Sequence, residues 1–458
     1  MKTLNDLTPA KKEFVIAASK KFGDGAILIF LPGWGDISKT YLRLYDSGLP
    51  LKIIALHSLM TPEQQHEAFE HPPPGLRKVI LSTNIAEASV TIDDIIYVID
   101  SGVMKERVYD PETGISTLDS KIVTRANAVQ RRGRAGRCQA GLVYHLFPSF
   151  KMEELKEFPT PQMLSSSMEE VLLQSKVIHG GSNDDISAML TNSMAAPKEQ
   201  SVSNALDLLQ NMRCLTPASE LTVLGRAIAQ IPVQPNVAKM LLLAGALRCI
   251  KPAAVVAAFL SLKNPFQQQA GSKASQQDGK LFFDKGYSSD HLTCLNAYVE
   301  WRREVARGRG DDYCMEKGLS PETLEMAFMM VEQFVNFAVE AGYDGDDVGE
   351  GDYGECDPVA PKSVEDALLR CAMTAGFYPN VCALYRNPND KKAQWILDSD
   401  QEVSAFVGSN NSAKPNPHVD GDEWMVFSDS MKMGRFNSIM DSSLVMSNFV
   451  LLFANNLL

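Results

Sequence analysis

No apolar run in this chain is long enough to cross a membrane. The most apolar stretch, MLLLAGALRCIKPAAVVAAFLSL, is broken by Arg248, Lys251 and Pro252 before it reaches the roughly 20 residues that a spanning helix needs. The amino terminus, MKTLNDLTPAKKEF, lacks the apolar centre of a signal peptide. Paired cysteines are missing as well. The eight cysteines are scattered, with no C-x-x-C and no nearby histidine pair, which argues against a zinc site and a disulfide framework and suits a reducing compartment. These absences predict a soluble, intracellular protein with no membrane partner and no metal ligands of its own.

Net positive charge is also lacking: the sum is −12. The sum hides an asymmetry, however. Residues 1–150 hold 18 Lys+Arg against 16 Asp+Glu, and the remainder 26 against 40. From Lys121 to Arg137 there are six basic residues and no acid, so a local positive field survives and a polyanion should dock there first. At 458 residues, 45% hydrophobic and 22% charged, the chain should form about three or four ordinary globular domains.

Residues 26–147 alternate short apolar runs with helical segments. AILIFL, LKIIAL, KVILST, IIYVID and GLVYHLF have the continuous apolar character of a parallel sheet covered on both faces. Thr61-Pro62-Glu63 marks a helix start. This predicts an α/β domain whose ligand sits beyond the carboxyl ends of the strands. Residues 103–120, VMKERVYDPETGISTLDS, break the alternation with two β-like arms around Asp110-Pro111-Glu112-Thr113-Gly114, and predict a hairpin. By itself such a hairpin is a surface excursion.

From about residue 160 the pattern turns helical. EEVLLQSKVI, NALDLLQNM and VAKMLLLAGAL repeat apolar residues at helical spacing, and the turn-rich CLTPASELTVLGRAIAQIPV fits a small winged helical domain. Ser320-Pro321-Glu322 caps a long helix with Leu324, Phe328, Val331, Val335 and Ala338 on one face. Residues 344–357, DGDDVGEGDYGECD, form an acidic linker. They imitate a calcium loop, but Val348 offers no side-chain oxygen where a ligand is needed, and Pro358 and Pro361 spoil an exit helix. Beyond a helical start at SVEDALLRCAMTAG, the short runs VCALYR, AQWILD, EWMVFSD and SNFVLLFA predict the strands of a small, OB-like β-barrel.

Two segments carry chemistry. In QRRGRAGR, on a helix, Gln130, Arg134 and Arg137 share one stripe at i, i+4 and i+7, while Arg125 and Arg132 face the other way. Glycine costs a helix interior about 1 kcal/mol relative to alanine, so Gly133 beside two guanidinium forks predicts a backbone that a phosphate must approach closely. In LSTNIAEASVTIDD, the hydroxyls of Ser82, Thr83, Ser89 and Thr91 and the amide of Asn84 cluster at a strand end. Small neutral donors of this kind contact phosphates and sugars without reading bases.

Taken in order, FLPGWGDI (30–37), LHSLMTPEQQHEAF (56–69), RKVILSTNIAEASVTIDD (77–94) and QRRGRAGR (130–137) resemble the second motor domain of DEAH-box RNA helicases. SDHLTCLNAYVEW (289–301) and AGFYPNV (375–381) resemble that family's helical ratchet and OB-like domains, and the match is best to the RNA helicase A subgroup. The resemblance implies a multidomain fold. A RecA-like α/β motor domain would occupy 1–155 with its 103–120 hairpin, a winged-helix domain 156–235 and a helical ratchet domain 236–343. The acidic linker at 344–362 would lead to an OB-like barrel at 363–458.

It also implies roles. Arg134 and Arg137 would be arginine fingers on the β/γ-phosphates of ATP, with Gln130 near the attacking water. Gly133, Ser89 and Asp93 would contact the nucleotide, Asp93 at its ribose, with Ser89 coupling nucleotide state to movement. Ser58, Thr83, Asn84 and Thr91 would hold single-stranded or partly duplex RNA, against which the hairpin would act as a wedge. A G-patch-type activator or a ribonucleoprotein complex would be the partner.

The chain departs from that pattern in three places. Ser165-Ser166-Ser167 replaces an Arg-Thr pair, Phe406-Val407-Gly408-Ser409-Asn410 replaces a His-Pro-x-Ser loop, and residues 363–458 carry 7 basic against 11 acidic residues. Neither G-x-x-x-x-G-K-[ST] nor D-E-x-H occurs. The first motor domain, which would supply the phosphate cradle and the Mg2+ ligands, is therefore expected outside this chain, and the chain alone is expected not to turn over ATP. The alternative is a non-catalytic RNA- or protein-binding module derived from such a helicase.

Overall fold

A computed structural model describes residues 25–56, 66–88, 92–110, 115–135, 137–138, 140–180, 186, 189–262, 264–266, 274–342, 357–360, 362–386, 393–397, 401–412, 423–433 and 436–453. These fall into two compact units. The described residues up to Glu106 and from Asp119 to Thr160 form the first; Arg107–Leu118 and the described residues from Pro161 onward form the second. The helix start at Thr61, the turn at 111–114 and nearly all of the acidic linker lie outside the described residues.

The first unit is built on strands β1 (Ala26–Phe30), β2 (Leu51–Leu56), β3 (Arg77–Ser82), β4 (Ile95–Asp100) and β7 (Leu142–His145). They pair in the order β2-β3-β1-β4-β7, all parallel. Alternate residues of the same strand feed different cores. Ile27, Ile29, Val79, Leu81 and Ile99 pack against Ile37 and Leu44 of helix α1 (Trp34–Tyr45). Leu28, Phe30, Ile80 and Val98 pack with Ala86, Ile92 and Ala135 on the opposite face. A strand buried on both faces has no position for a polar residue, which is why these runs are continuously apolar.

Helices α2 (Ile85–Ala88), α3 (Arg125–Gly133) and α4 (Ser149–Glu154) complete the unit. Thr124 caps α3 through a capping box in which its hydroxyl accepts from the Asn127 N–H at 3.3 Å and the Asn127 Oδ1 accepts from the Thr124 N–H at 3.2 Å. Between β4 and α3 the chain forms strands β5 (Val103–Asp110) and β6 (Ile115–Ile122), neighbours in one sheet as the hairpin reading expects.

The second unit contains helices α5 (Glu169–His179), α6 (Glu199–Asn211), α7 (Val223–Gln230), α8 (Pro235–Ala246), α9 (Ile250–Ser261), α10 (Ala274–Asp284), α11 (Asp290–Ala306), α12 (Gly310–Lys317), α13 (Pro321–Glu340), α14 (Val364–Phe377) and α15 (Ser447–Phe453). A short antiparallel bridge, Leu215 to Leu221, separates α6 from α7. Helices α8 and α9 are buried on nearly every side, the environment that a predominantly apolar helix requires. Ser320 caps α13 by accepting from the Thr323 N–H, and Leu324, Val331, Val335 and Ala338 are buried with Phe328 packed beside them.

The remaining strands are β8 (Val381–Arg386), β9 (Ala393–Leu397), β10 (Glu402–Ala405), β11 (Trp424–Met433) and β12 (Phe436–Val445). They pair β12-β10-β9-β8-β11, and β11 pairs back onto β12, closing a ring in which β10 and β12 alone run parallel. In the same sheet β6 continues beyond β11, with Ser116 opposite Met431 and Thr117 opposite Lys432, and Arg107 forms an ion pair with Asp429.

One expected strand is not one. Its residues Ser447–Phe453, SNFVLLF, form helix α15, with Val450 the only buried residue of that helix. A short apolar run does not distinguish strand from helix by periodicity. The strand that closes the ring is instead the serine-rich β12, whose Ser442 and Ser443 are fully buried.

Candidate nucleotide and nucleic-acid site

The site grows from the end of β3. Thr83 and Asn84 follow the last residue of that strand at its carboxyl end. Asn84 is exposed, whereas Thr83 is 8% exposed, its N–H donating to the Leu56 carbonyl at 3.3 Å. Directly after them the single turn of α2 turns Glu87 inward, where it is 5% exposed.

Helix α3 runs antiparallel to β4. Just before its start the Val123 N–H donates to the Gly102 carbonyl, beyond the carboxyl end of β4. Past its end, Ala135 lies beside Ile96: a Cβ on Gly141 would collide with the carbonyls of both. The arginine-bearing end of α3 thus lies toward the amino ends of the strands, the end at which Asp93 precedes β4. Of the candidate residues, Thr83 and Asn84 sit at the carboxyl ends; Asp93 and the backbone of Arg134 do not.

The arginine cluster divides into different environments. Arg131 is completely buried. Its Nε donates to Glu87 Oε2 at 3.0 Å, its Nη1 to Asp100 Oδ1 at 2.8 Å, and its guanidinium carbon lies 4.8 Å from the centre of the Phe30 ring. Asn127 Nδ2 donates to the other oxygen of Glu87. Asp100 also accepts from the Gly102 N–H at 2.9 Å and shares a hydrogen bond with His145 Nδ1 at 3.2 Å. Burial pushes the Asp100 carboxyl up, but the His145 bond and the Arg131 charge outweigh it and hold it below the ordinary carboxylate value.

Arg134, the C-cap of α3, is 8% exposed and donates through Nη2 to the backbone carbonyl of Glu87. Burial and then the charge of Arg137 lower its pKa, with Glu87 acting the other way. A cation so placed is stabilised by an incoming anion. Gln130, Arg132, Gly133 and Arg137 are exposed, and a Cβ at Gly133 would meet open space. The helix ends at Gly133, so of the three residues expected on one helical stripe Gln130 lies within the helix, Arg134 is its C-cap and Arg137 lies beyond it; Gln130 is exposed and Arg134 is buried. Gly133 occupies the last turn, where the missing side chain weakens the helix less than in its interior.

Ser58, Ser89 and Thr91 lie outside the described residues. Asp93 is exposed. With His71 and Asp94 it forms a group of possible metal ligands. However, the buried ammonium of Lys78 already lies 2.8 Å from Asp94 and donates to the carbonyls of Ala68 and Glu70 at 2.9 and 2.8 Å. A charge neutralised in this way leaves little to attract a cation.

Sequence reasoning missed Glu87, Asp100, Asn127, Arg131 and His145. The signal for Arg131 was present: it lies three residues after Ala128, on the face of α3 that Ala128 buries completely.

Residues 10–139 match the helicase conserved C-terminal domain, and residues 234–294 the ratchet-like helicase associated domain (HA2). The DExH-box ATP-dependent RNA helicase DExH6 of Arabidopsis thaliana is 38% identical over 78% of this chain and 28% of its own length. DExH2 of the same plant is 34% identical over 95% of this chain and 28% of its own. The ATP-dependent DNA/RNA helicase DHX36 of Homo sapiens is 35% identical over 88% of this chain and 40% of its own. The chain thus spans well under half the length of these relatives. Among the described residues no helix is long and apolar enough to cross a membrane.

Proposed function

Because the chain belongs to the DExH-box helicase family, we propose that it is the carboxyl-terminal part of an ATP-dependent RNA helicase that couples ATP hydrolysis to translocation on RNA and its unwinding or remodelling. The observation that carries the reading is the placement of Arg134. It is a nearly buried guanidinium whose charge burial and Arg137 oppose, tied by its Nη2 to the turn that follows Thr83 and Asn84. Such a cation fits the charge that develops on a transferring phosphoryl group.

In this reading Arg134 and Arg137 are the fingers toward the β/γ-phosphates and Gln130 orients water. Gly133 keeps the backbone open, and Ser89 and Asp93 contact the nucleotide. Ser58, Thr83, Asn84 and Thr91 hold the RNA backbone, and the hairpin parts the duplex. ATP supplies the phosphoanhydride bond whose cleavage drives movement, and its Mg2+ is held mainly by a first motor domain. The protein works inside the cell, with a G-patch-type activator or a ribonucleoprotein complex as partner.

The domain reading follows the same line, with a motor domain at 1–155, a winged-helix domain at 156–235, a ratchet at 236–343, a linker at 344–362 and an OB-like barrel at 363–458. The closed ring of five strands, with its one parallel pair, supports the last of these.

A test compares ATP hydrolysis, with and without single-stranded RNA, by this chain and by a form extended upstream to include a phosphate-binding loop. The reading expects turnover only in the extended form, stimulated by RNA. Turnover by this chain alone would contradict it. The absence of G-x-x-x-x-G-K-[ST] from the chain favours one second reading, a non-catalytic binding module, which RNA binding without turnover in either form would support.

A further inference from the structure

Glu87 has two attachments to α3, made by different parts of the same residue. Its carboxylate is held by Arg131 Nε and Asn127 Nδ2, and its backbone carbonyl accepts from Arg134 Nη2. Glu87 lies three residues beyond Asn84, on a helix of a single turn, so little chain separates the exposed strand end from the carbonyl that Arg134 grips. Arg131 is fixed from its other side by Asp100, on β4 in the sheet core. The charged anchor is fully desolvated and resists displacement.

We propose that Glu87 is a positioning residue that transmits movement of the β3 end, when Asn84 and its neighbours engage a phosphate–ribose backbone, to the guanidinium of Arg134. This rests on the function proposed above. The carboxylate keeps α2 docked on α3, and the carbonyl then shifts Arg134 as α2 shifts. Substituting Glu87 leaves the carbonyl in place but frees α2 from its anchor, so what is lost is the transmission. A purely structural role for the same carboxylate lowers stability without changing how α3 responds to RNA.

The test is hydrogen exchange of this chain with and without single-stranded oligouridine, in the wild type and in Glu87→Gln, a near-isosteric change that removes the charge. Asn127→Ala, which loosens the other anchor, serves as a second variant should Glu87→Gln fail to fold. In the wild type, RNA is expected to slow exchange both in residues 81–88 and in residues 125–135. In the variant the first effect should remain and the second should be lost. If both effects persist in a folded variant, the transmission does not run through Glu87 and the inference is overturned. If RNA slows neither segment in the wild type, it is the RNA-binding reading itself that fails, and the inference falls with it.

Discussion

Arg131 Nε lies 3.0 Å from Glu87 Oε2, with the arginine side chain fully buried and the glutamate side chain 6% exposed. This contact joins the two segments that looked functional in the sequence, and it uses an arginine that is not exposed to any ligand. Truncating one partner of a buried pair leaves the other charge without compensation, a loss of about 3–5 kcal/mol. Arg131→Ala should therefore destabilise the chain by about that much in urea unfolding, while Arg132→Ala, at an exposed position, should stay within about 0.5 kcal/mol. Equal effects would contradict the assignment of Arg131 to the core.

Asp100 provides a pH dependence of known sign. Its folded pKa is depressed, so its contribution to stability is complete above the unfolded value, about 3.9, and is lost as pH falls through the lower folded value. Asp100→Asn should flatten the acid limb of a stability–pH profile in that window. An unchanged acid limb would contradict the network.

Lys239 gives a slope of the same sign for the opposite reason, because its burial disfavours the charged form. It lies on the buried helix α8, 7% exposed, and burial lowers its pKa to about 8 from 10.5. Between those values the folded state binds fewer protons than the unfolded one, so stability should rise with pH across that window. Lys239→Met should abolish that rise and raise stability at neutral pH, measurable by denaturant titration at pH 7 and pH 10. A steeper rise in the variant would contradict the assignment.

Two glycines separate packing from access. A Cβ at Gly141 meets two backbone carbonyls, whereas at Gly133 it meets nothing. Gly141→Ala should cost about 1–3 kcal/mol through overpacking. Gly133→Ala should leave stability unchanged or raise it by up to about 1 kcal/mol, yet weaken nucleotide-dependent activity if a phosphate passes close to that backbone. Loss of stability at Gly133 would contradict the open surface.

The five strands of the first sheet were legible because burial on both faces forces continuous apolar runs, and the Ser320 cap because a hydroxyl before proline has few other uses. β12 was not legible. Its Ser442 and Ser443 are buried because the Ser442 N–H and hydroxyl bond to Asp290 while Ser443 meets Ser289 and His291 at the start of α11, a contact between residues about 150 positions apart. No local pattern encodes such a partner, and a polar strand reads as a loop. The same holds for the site: Gln130, Arg134 and Arg137 stand out by type and spacing, while Asp100 and Glu87 become recognisable only once β4, α2 and α3 are brought together.

The central claim is that the arginine cluster divides its labour, with Arg131 holding the fold and Arg134 serving the phosphate. The most direct test is RNA-stimulated ATP hydrolysis by the form extended upstream to include a phosphate-binding loop, comparing Arg134→Ala with Arg132→Ala. The account predicts a loss on the order of 10³-fold for Arg134→Ala in a variant that still folds, and little change for Arg132→Ala. Equal activity in the two variants would contradict it.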